Sequence, residues 1–512
     1  MGPADRAERL RRELVLGVVM VGTFMAILDV TIVNVVIPHI MTSFGVGVDE
    51  VKWVSTAFMI SQAVVMPATG WLGQRFGLGR LYIAELLVFT AGSMLCATAW
   101  SLNMLIFSRA LQAVGAGGIL TTSLAIITDT YPPQERGRAM GIWGVGFMVG
   151  SDLGPTLGGL LSDWFNWRSV FAVNLPIGAV ALMFAAVALP PGRQHRETPF
   201  DFRGFAVMAA LLVVGLLTVE YGQEQGWDSG IIQLGLAGTA ALSVLFVAVM
   251  WGAPHPLLPL RLFRSLDFSL VMVIGVIRAI PMFVPLFMVP LFLQNVQGRD
   301  TLETGLLLIP SAVTQMVAMP IVGIATDRFG PRWLVVAGVA MSAACLYYFG
   351  AMDPLSGRWA AVYPQFWRGL GISILFSSVN TAGLNSVRQS DAGTASWMLS
   401  LLMSASGAVT IALLGTLLHT TVITQTDLLG TAAALQTPPP IALTAAAKAQ
   451  GYSEREAVAV ARSLLQRQIG QQATARAFQH QFLLMAGLTL LALLPSLLLS
   501  SRRELLARAG HG

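Results

Sequence analysis

Asp29 stands in the middle of an apolar run from Leu14 to Pro38, within the string Leu28-Asp29-Val30-Thr31-Ile32-Val33-Asn34-Val35-Val36-Ile37-Pro38. At about 1.5 Å of helical rise per residue, that puts a carboxyl near the centre of a bilayer roughly 30 Å thick. A charge at that depth is costly, so it needs a partner, water or a proton. Two readings follow: a structural carboxyl bonded to a neighbouring helix, or a proton site that powers transport. Arg109 sits in another apolar run at a comparable depth. An arginine beside a carboxyl stabilises the carboxylate and apolar surroundings stabilise the acid, so a pocket that rearranges around the two takes up and releases a proton. The plainer reading of Arg109 is a fixed ion pair or a side chain snorkelling to the interface. Asp152, deep in a third run, can bind a cation, carry a second proton, or sit protonated and hydrogen-bonded. Glu85 and Glu220 fall near run ends, as interfacial residues do, and Arg278 calls for an acid that the sequence does not identify.

The elements that must position these groups are membrane helices. The chain has 512 residues, 55% hydrophobic and 11% charged, with mean hydropathy +0.70, outside the usage of soluble domains. Hydropathy predicts fourteen spans. Spans 1 to 6 run Leu14 to Pro38, Val51 to Leu72, Leu81 to Ala99, Asn103 to Ile127, Ala139 to Leu161 and Val170 to Leu189. Spans 7 and 8 run Phe205 to Val219 and Ile231 to Trp251. Spans 9 to 14 run Phe268 to Leu293, Gly305 to Ala325, Trp333 to Gly350, Ala360 to Leu384, Ala395 to Leu418 and Phe482 to Leu499. The net charge of +5 falls in short loops rather than on one solvated face, which argues against nucleic acid as a partner. Loops on the N-terminal side carry Arg75, Arg80, Arg136, Arg138, Arg328, Arg332 and Arg388, whereas short loops opposite hold only Lys52, Arg168, Arg299 and Arg358. By the positive-inside rule both termini are cytoplasmic.

The chain also repeats itself. Gly70-Trp71-Leu72-Gly73-Gln74-Arg75-Phe76-Gly77 after span 2 matches Gly323-Ile324-Ala325-Thr326-Asp327-Arg328-Phe329-Gly330 after span 10, at an offset of 253. Arg109-Ala110-Leu111 similarly matches Arg368-Gly369-Leu370. Parallel six-helix repeats flanking a midplane site are a transporter architecture. The expected division is residues 1–202 and 253–512 as the two bundles, 203–252 as two inserted helices, and 420–481 as a long periplasmic loop. In that loop Pro438-Pro439-Pro440 precedes Ser453-Glu454-Arg455-Glu456, a capping-box pattern. Val458, Ala461, Leu464, Leu465 and Ile469 follow at helical spacing, predicting an amphipathic helix outside the membrane.

These residues resemble the major facilitator superfamily across nearly the whole chain, specifically the fourteen-span drug:proton antiporters of the EmrB type. The Leu-Asp-x-Thr-Ile-Val-Asn-x-x-x-Pro string at 28 to 38 is the most specific match. Arg109, Gln112, Gly115 and Gly117 resemble the family's span 4 motif, and Gly146, Gly150, Gly154, Pro155, Gly158 and Gly159 its span 5 antiporter motif. The resemblance implies an all-α fold of two six-helix bundles plus two inserted helices. It implies a proton-coupled exporter of lipophilic, often cationic drugs in a bacterial inner membrane, with export of a specific metabolite or lipid as the alternative. Proton coupling would fall to Asp29, Arg109 and Asp152. The substrate cavity would draw on Asp29, Asn34, Gln112, Asp152 and Arg368, and the span 5 motif would gate it. The loop after span 2 departs from the family pattern, with Gln74 where an acid belongs, so a cytoplasmic latch is expected at Asp327 and Arg328 instead. The resemblance also suggests docking of the long loop to a periplasmic adaptor and outer-membrane channel, with the proton motive force in place of any cofactor.

Glycines four apart at 146, 150, 154 and 158 leave one helix face bare, so span 5 can approach a neighbour closely, and Pro155 permits a kink. ATP-driven transport lacks its loop, because Lys52 and Lys448 lie in no Gly-x-x-x-x-Gly-Lys sequence. The six histidines include no His-Glu-x-x-His pair, and Cys96 and Cys345 are far apart in separate apolar runs, so neither a zinc enzyme nor any other metal site is indicated.

Overall fold

The computed structural model describes residues 3–189, 199–434, 444–445, 449 and 453–500, and among them there are helices and no strands. Span 1 is the helix Pro3–Phe44, span 2 Trp53–Phe76, span 3 Leu78–Ala97, span 4 Leu102–Thr130 and span 5 Arg136–Trp164. Span 6 comprises Ser169–Ala172 and Asn174–Ala188. Spans 7 and 8 are Phe202–Gln225 and Gly230–Gly252. Span 9 breaks at Arg278 into Leu266–Ile277 and Ala279–Leu291, and spans 10 to 12 are Thr301–Phe329, Pro331–Gly350 and Arg358–Asn385. Among the described residues, eleven helical segments are long and apolar enough to cross a membrane. Spans 2, 5 and 12 are helices of suitable length that fall outside that set, being richer in glycine and polar residues.

The extended loop expected at 420–481 is largely helix. Span 13 continues as Ala392–Ala434, and the helix that starts after Ser453 runs unbroken as Glu454–Leu490 into span 14, which ends with Leu493–Leu498. The capping signal was legible, since the Ser453 N–H donates to the Glu456 carboxylate at 3.0 Å, but the helix it starts is the beginning of span 14 rather than a separate element. Pro438-Pro439-Pro440 and Lys448 lie outside the described residues.

The repeat is visible in the backbone. Gly77 ends span 2 at φ 86° and Gly330 ends span 10 at φ 85°, a left-handed conformation that glycine adopts without strain. The halves meet along two related seams, span 5 against span 10 and span 2 against span 13. Gly323 faces the Gly137 carbonyl at the first seam and Gly70 faces Gly393 at the second, so backbone meets backbone in both places. Span 7 rests on span 2 of one half and span 13 of the other. Lys52 reinforces its C-terminal end through a 2.5 Å ion pair with Glu224, and the Trp227 indole N–H just beyond it donates to Thr416 at 2.9 Å.

Candidate functional site: a buried carboxylate beside an inter-half cavity

Arg109 and Gln112 are one turn apart on span 4, so both side chains lie on one face. That face meets Asp29 of span 1, which is completely buried. Arg109 Nη1 forms an ion pair with Asp29 Oδ2, while Oδ1 accepts from Gln112 Nε2 and from Asn174 Nδ2, each at 2.8 Å. Gln112 ties the cluster together, accepting from Arg109 Nη1 at 2.7 Å and donating to Ser93 Oγ at 2.6 Å. A Cβ on Gly92 would stand 2.6 Å from the Gln112 Cα, so glycine is what lets span 3 come near enough for Ser93 to join. The guanidinium lies 4.0 Å from the Phe58 ring centroid and donates to the Val54 carbonyl at 3.4 Å. Among the described residues the carboxylate meets three donors and no acceptor, so a proton arriving on it finds no partner for its own O–H unless the cluster rearranges.

Between the halves lies a cavity of about 330 Å³, and Arg109 forms part of its wall. Asn34, Asp152 and Arg368 line it, as the sequence led one to expect. Asp29 and Gln112 do not; both are completely buried in the cluster around Arg109, which does line it. Glu220, expected at the outer interface, borders the cavity too, since span 7 packs over the gap between the halves; Thr56 Oγ1 donates to it at 3.3 Å. Phe147, Met282, Phe283 and Met403 supply apolar wall. Trp143 and Phe147 of span 5 pack on Phe376 of span 12, with centroids 5.6 and 5.2 Å apart, and close the space toward the N-terminal end.

Four of the span 5 motif glycines make the close helix approach that their spacing predicts. Gly146, Gly150, Gly154 and Gly158 press on Met20, Phe24, Thr31 and Ile32 of span 1, inside the same half, and Thr31 Oγ1 donates to the Gly150 carbonyl at 3.2 Å. Gly159 faces open space and Pro155 is exposed, with the helix continuous through it. The seam between halves is made by Gly137, Gly141 and Gly144 against span 10 and Phe376, residues that sequence reasoning missed because they lie on the face of span 5 opposite the 146-150-154-158 stripe.

Of the expected latch, Asp327 reaches across the seam, accepting the backbone N–H groups of Gly137 at 2.7 Å and Arg138 at 2.8 Å. Arg328 does not; it is exposed and lies over the Phe329 ring. Arg136 strengthens the same closure, donating to Asn385 at 2.9 Å and Gln389 at 2.8 Å. Two further expectations change. Glu85 is buried between spans 3 and 4, where Thr122 donates to it at 2.8 Å, rather than interfacial. Arg278 has no acid among the described residues; its one hydrogen bond goes to Asn380 at 3.3 Å.

The pattern of the Major Facilitator Superfamily matches residues 19–412. The multidrug export protein EmrB of Escherichia coli (strain K12) is 30% identical over 414 residues, covering 79% of each chain. The uncharacterized MFS-type transporter YhcA of Bacillus subtilis (strain 168) is 32% identical over 414 residues, covering 80% of this chain and 76% of its own. In three dimensions the human organic anion transporter MFSD10 (TETRAN) aligns with a TM-score of 0.57 at 16% identity, over 96% of this chain and all of that one, a likeness of fold. With the family pattern spanning most of its length, bacterial transporters as relatives and two helical halves around a central cavity, this chain is a multi-pass membrane transporter, not an enzyme, and belongs to the Major Facilitator Superfamily.

Proposed function

We propose that the protein is a proton-coupled antiporter that exports lipophilic, often cationic drugs or toxic compounds across a bacterial inner membrane, crossing it fourteen times with both termini in the cytoplasm. The observation that carries this reading is that one guanidinium, that of Arg109, both holds the buried Asp29 carboxylate and walls the cavity. A proton on Asp29 removes the charge that anchors Arg109 and frees the guanidinium to turn toward the cavity, where it repels a cationic substrate. Loss of the proton draws it back and makes room. Proton and substrate thereby oppose each other through a single side chain. One inward proton supplies about 2.3 kcal/mol per 100 mV of membrane potential, and about 1.4 kcal/mol for each unit of pH difference. No cofactor is needed. The likeness to a protein named as a multidrug exporter supports the choice of cargo. The helical extensions of spans 13 and 14 are the surface on which a periplasmic adaptor and its outer-membrane channel would dock.

The test is dye efflux from proteoliposomes under an imposed proton gradient. Asp29→Asn, uncharged like the protonated acid, should abolish gradient-driven efflux and weaken binding of a cationic dye in detergent; efflux at the wild-type rate would remove Asp29 from coupling.

A further inference from the structure

We infer that the cavity carries an anion subsite at Arg368, and that its substrates include lipophilic zwitterions whose carboxylate docks on that guanidinium while their cationic group faces Asp152. This rests on the export reading above and narrows its cargo.

Arg109 and Arg368 occupy matching places in the two repeats, yet only one has an acid. Arg109 is bound to Asp29. Opposite Asp29 the second half has a methionine at either offset, Met282 at the 253 of the loop repeat and Met288 at the 259 that relates the two arginines, and none of the second-half residues lining the cavity is acidic. Arg368 is 5% exposed. Its Nη1 shares two neutral oxygens, Ser311 Oγ at 3.1 Å and Gln365 Oε1 at 3.4 Å, and its Nε has no partner. Burying a guanidinium so incompletely matched costs free energy that packing alone does not return. A carboxylate entering the cavity supplies what is missing, since the planar fork of arginine suits two parallel hydrogen bonds to one carboxylate.

The opposite charge is in place across the space. Asp152, on span 5 of the other half, also lines the cavity and acts electrostatically on Arg368, but no ion pair joins them among the described residues. A molecule with an ammonium at one end and a carboxylate at the other satisfies both groups at once, and Phe147, Phe283 and Met403 receive the apolar body between them. Glu220 of span 7 is a second carboxyl on the wall and offers the ammonium another partner, whereas with Arg109 held by Asp29 the carboxylate of the ligand has Arg368 alone among the cationic side chains that line the cavity.

The test is equilibrium binding to the purified full-length protein, using a xanthene dye with a free carboxylate and its methyl ester, which differ only in that negative charge. The wild type should bind the acid about tenfold more tightly than the ester, the size of one good charge-assisted contact. Arg368→Gln should bring the ratio near one, and Arg368→Lys, which keeps the charge without the fork, should leave an intermediate ratio. Equal binding of acid and ester by the wild type, a ratio unchanged in Arg368→Gln, or no binding of either dye overturns the subsite. Because this reads binding without a gradient, its failure is distinct from failure of proton-coupled efflux, which the proteoliposome assay reads.

Discussion

Asp327 Oδ1 accepts the backbone N–H of Gly137 at 2.7 Å, so the end of span 10 in one half caps the start of span 5 in the other. A carboxylate at a helix N-terminus satisfies otherwise unpaired N–H groups and complements the helix dipole. The equivalent position in the first repeat, Gln74, instead donates to the Ser390 carbonyl at 3.4 Å. The two seams therefore close by opposite chemistry: one needs an acceptor, the other a donor.

Removing the acceptor should loosen the closed end. Asp327→Ala is expected to cost about 1 to 3 kcal/mol of closure, seen as a shift to longer distances between spin labels at positions 80 and 388. Gln74→Asp should also loosen it, because the new carboxylate cannot donate to Ser390 and lies near Asp391. A tighter distribution in Gln74→Asp would contradict the donor role.

The glycines of span 5 should separate into classes. Gly137→Ala pushes a methyl into the Gly323 carbonyl and Gly154→Ala pushes one into Thr31, so each should lose about 1 to 3 kcal/mol of stability or closure. Gly159→Ala meets nothing and should stay within about 0.5 kcal/mol of wild type. Thermal unfolding in detergent together with dye efflux measures both effects, and a damaging Gly159→Ala would mean that the motif acts through something other than close approach.

Asp29 and Arg109 should show coupled stability. Asp29→Asn alone leaves a buried guanidinium uncompensated and is expected to cost about 3 to 5 kcal/mol. Adding Arg109→Gln should recover part of that stability without restoring proton-driven efflux. Recovery of efflux in the double variant would make the pair merely structural.

Arg278 has two unpartnered nitrogens in a buried setting. Arg278→Met, similar in length and uncharged, should raise the melting temperature, since replacing a poorly compensated buried charge by an apolar side chain is often stabilising. A lower melting temperature would show that the Asn380 and Phe376 contacts outweigh the buried charge.

The long apolar runs, the repeat ending in Gly77 and Gly330, and the depth shared by Asp29 and Arg109 could all be read from the sequence, because each depends on local pattern or on the cost of charge in lipid. Helix partners could not. Lipid and protein neighbours are equally apolar, so hydropathy did not reveal that the motif glycines of span 5 face span 1 while Gly137, Gly141 and Gly144 face span 10. Asn174 was missed for a related reason: one amide at the head of an apolar helix resembles interfacial polarity until its partner is known. Glu220 was misplaced because the sequence treats spans 7 and 8 as an insertion between repeats and says nothing of where they dock.

Span 7 touches both halves at once, through span 2 and through span 13. A rocking movement that parts those two helices has to drag it along one of them, so the extra pair of helices is a brace whose friction is built into every cycle. Loosening its footing at Glu224 or Thr416 would then change how fast the halves exchange without altering what either of them binds.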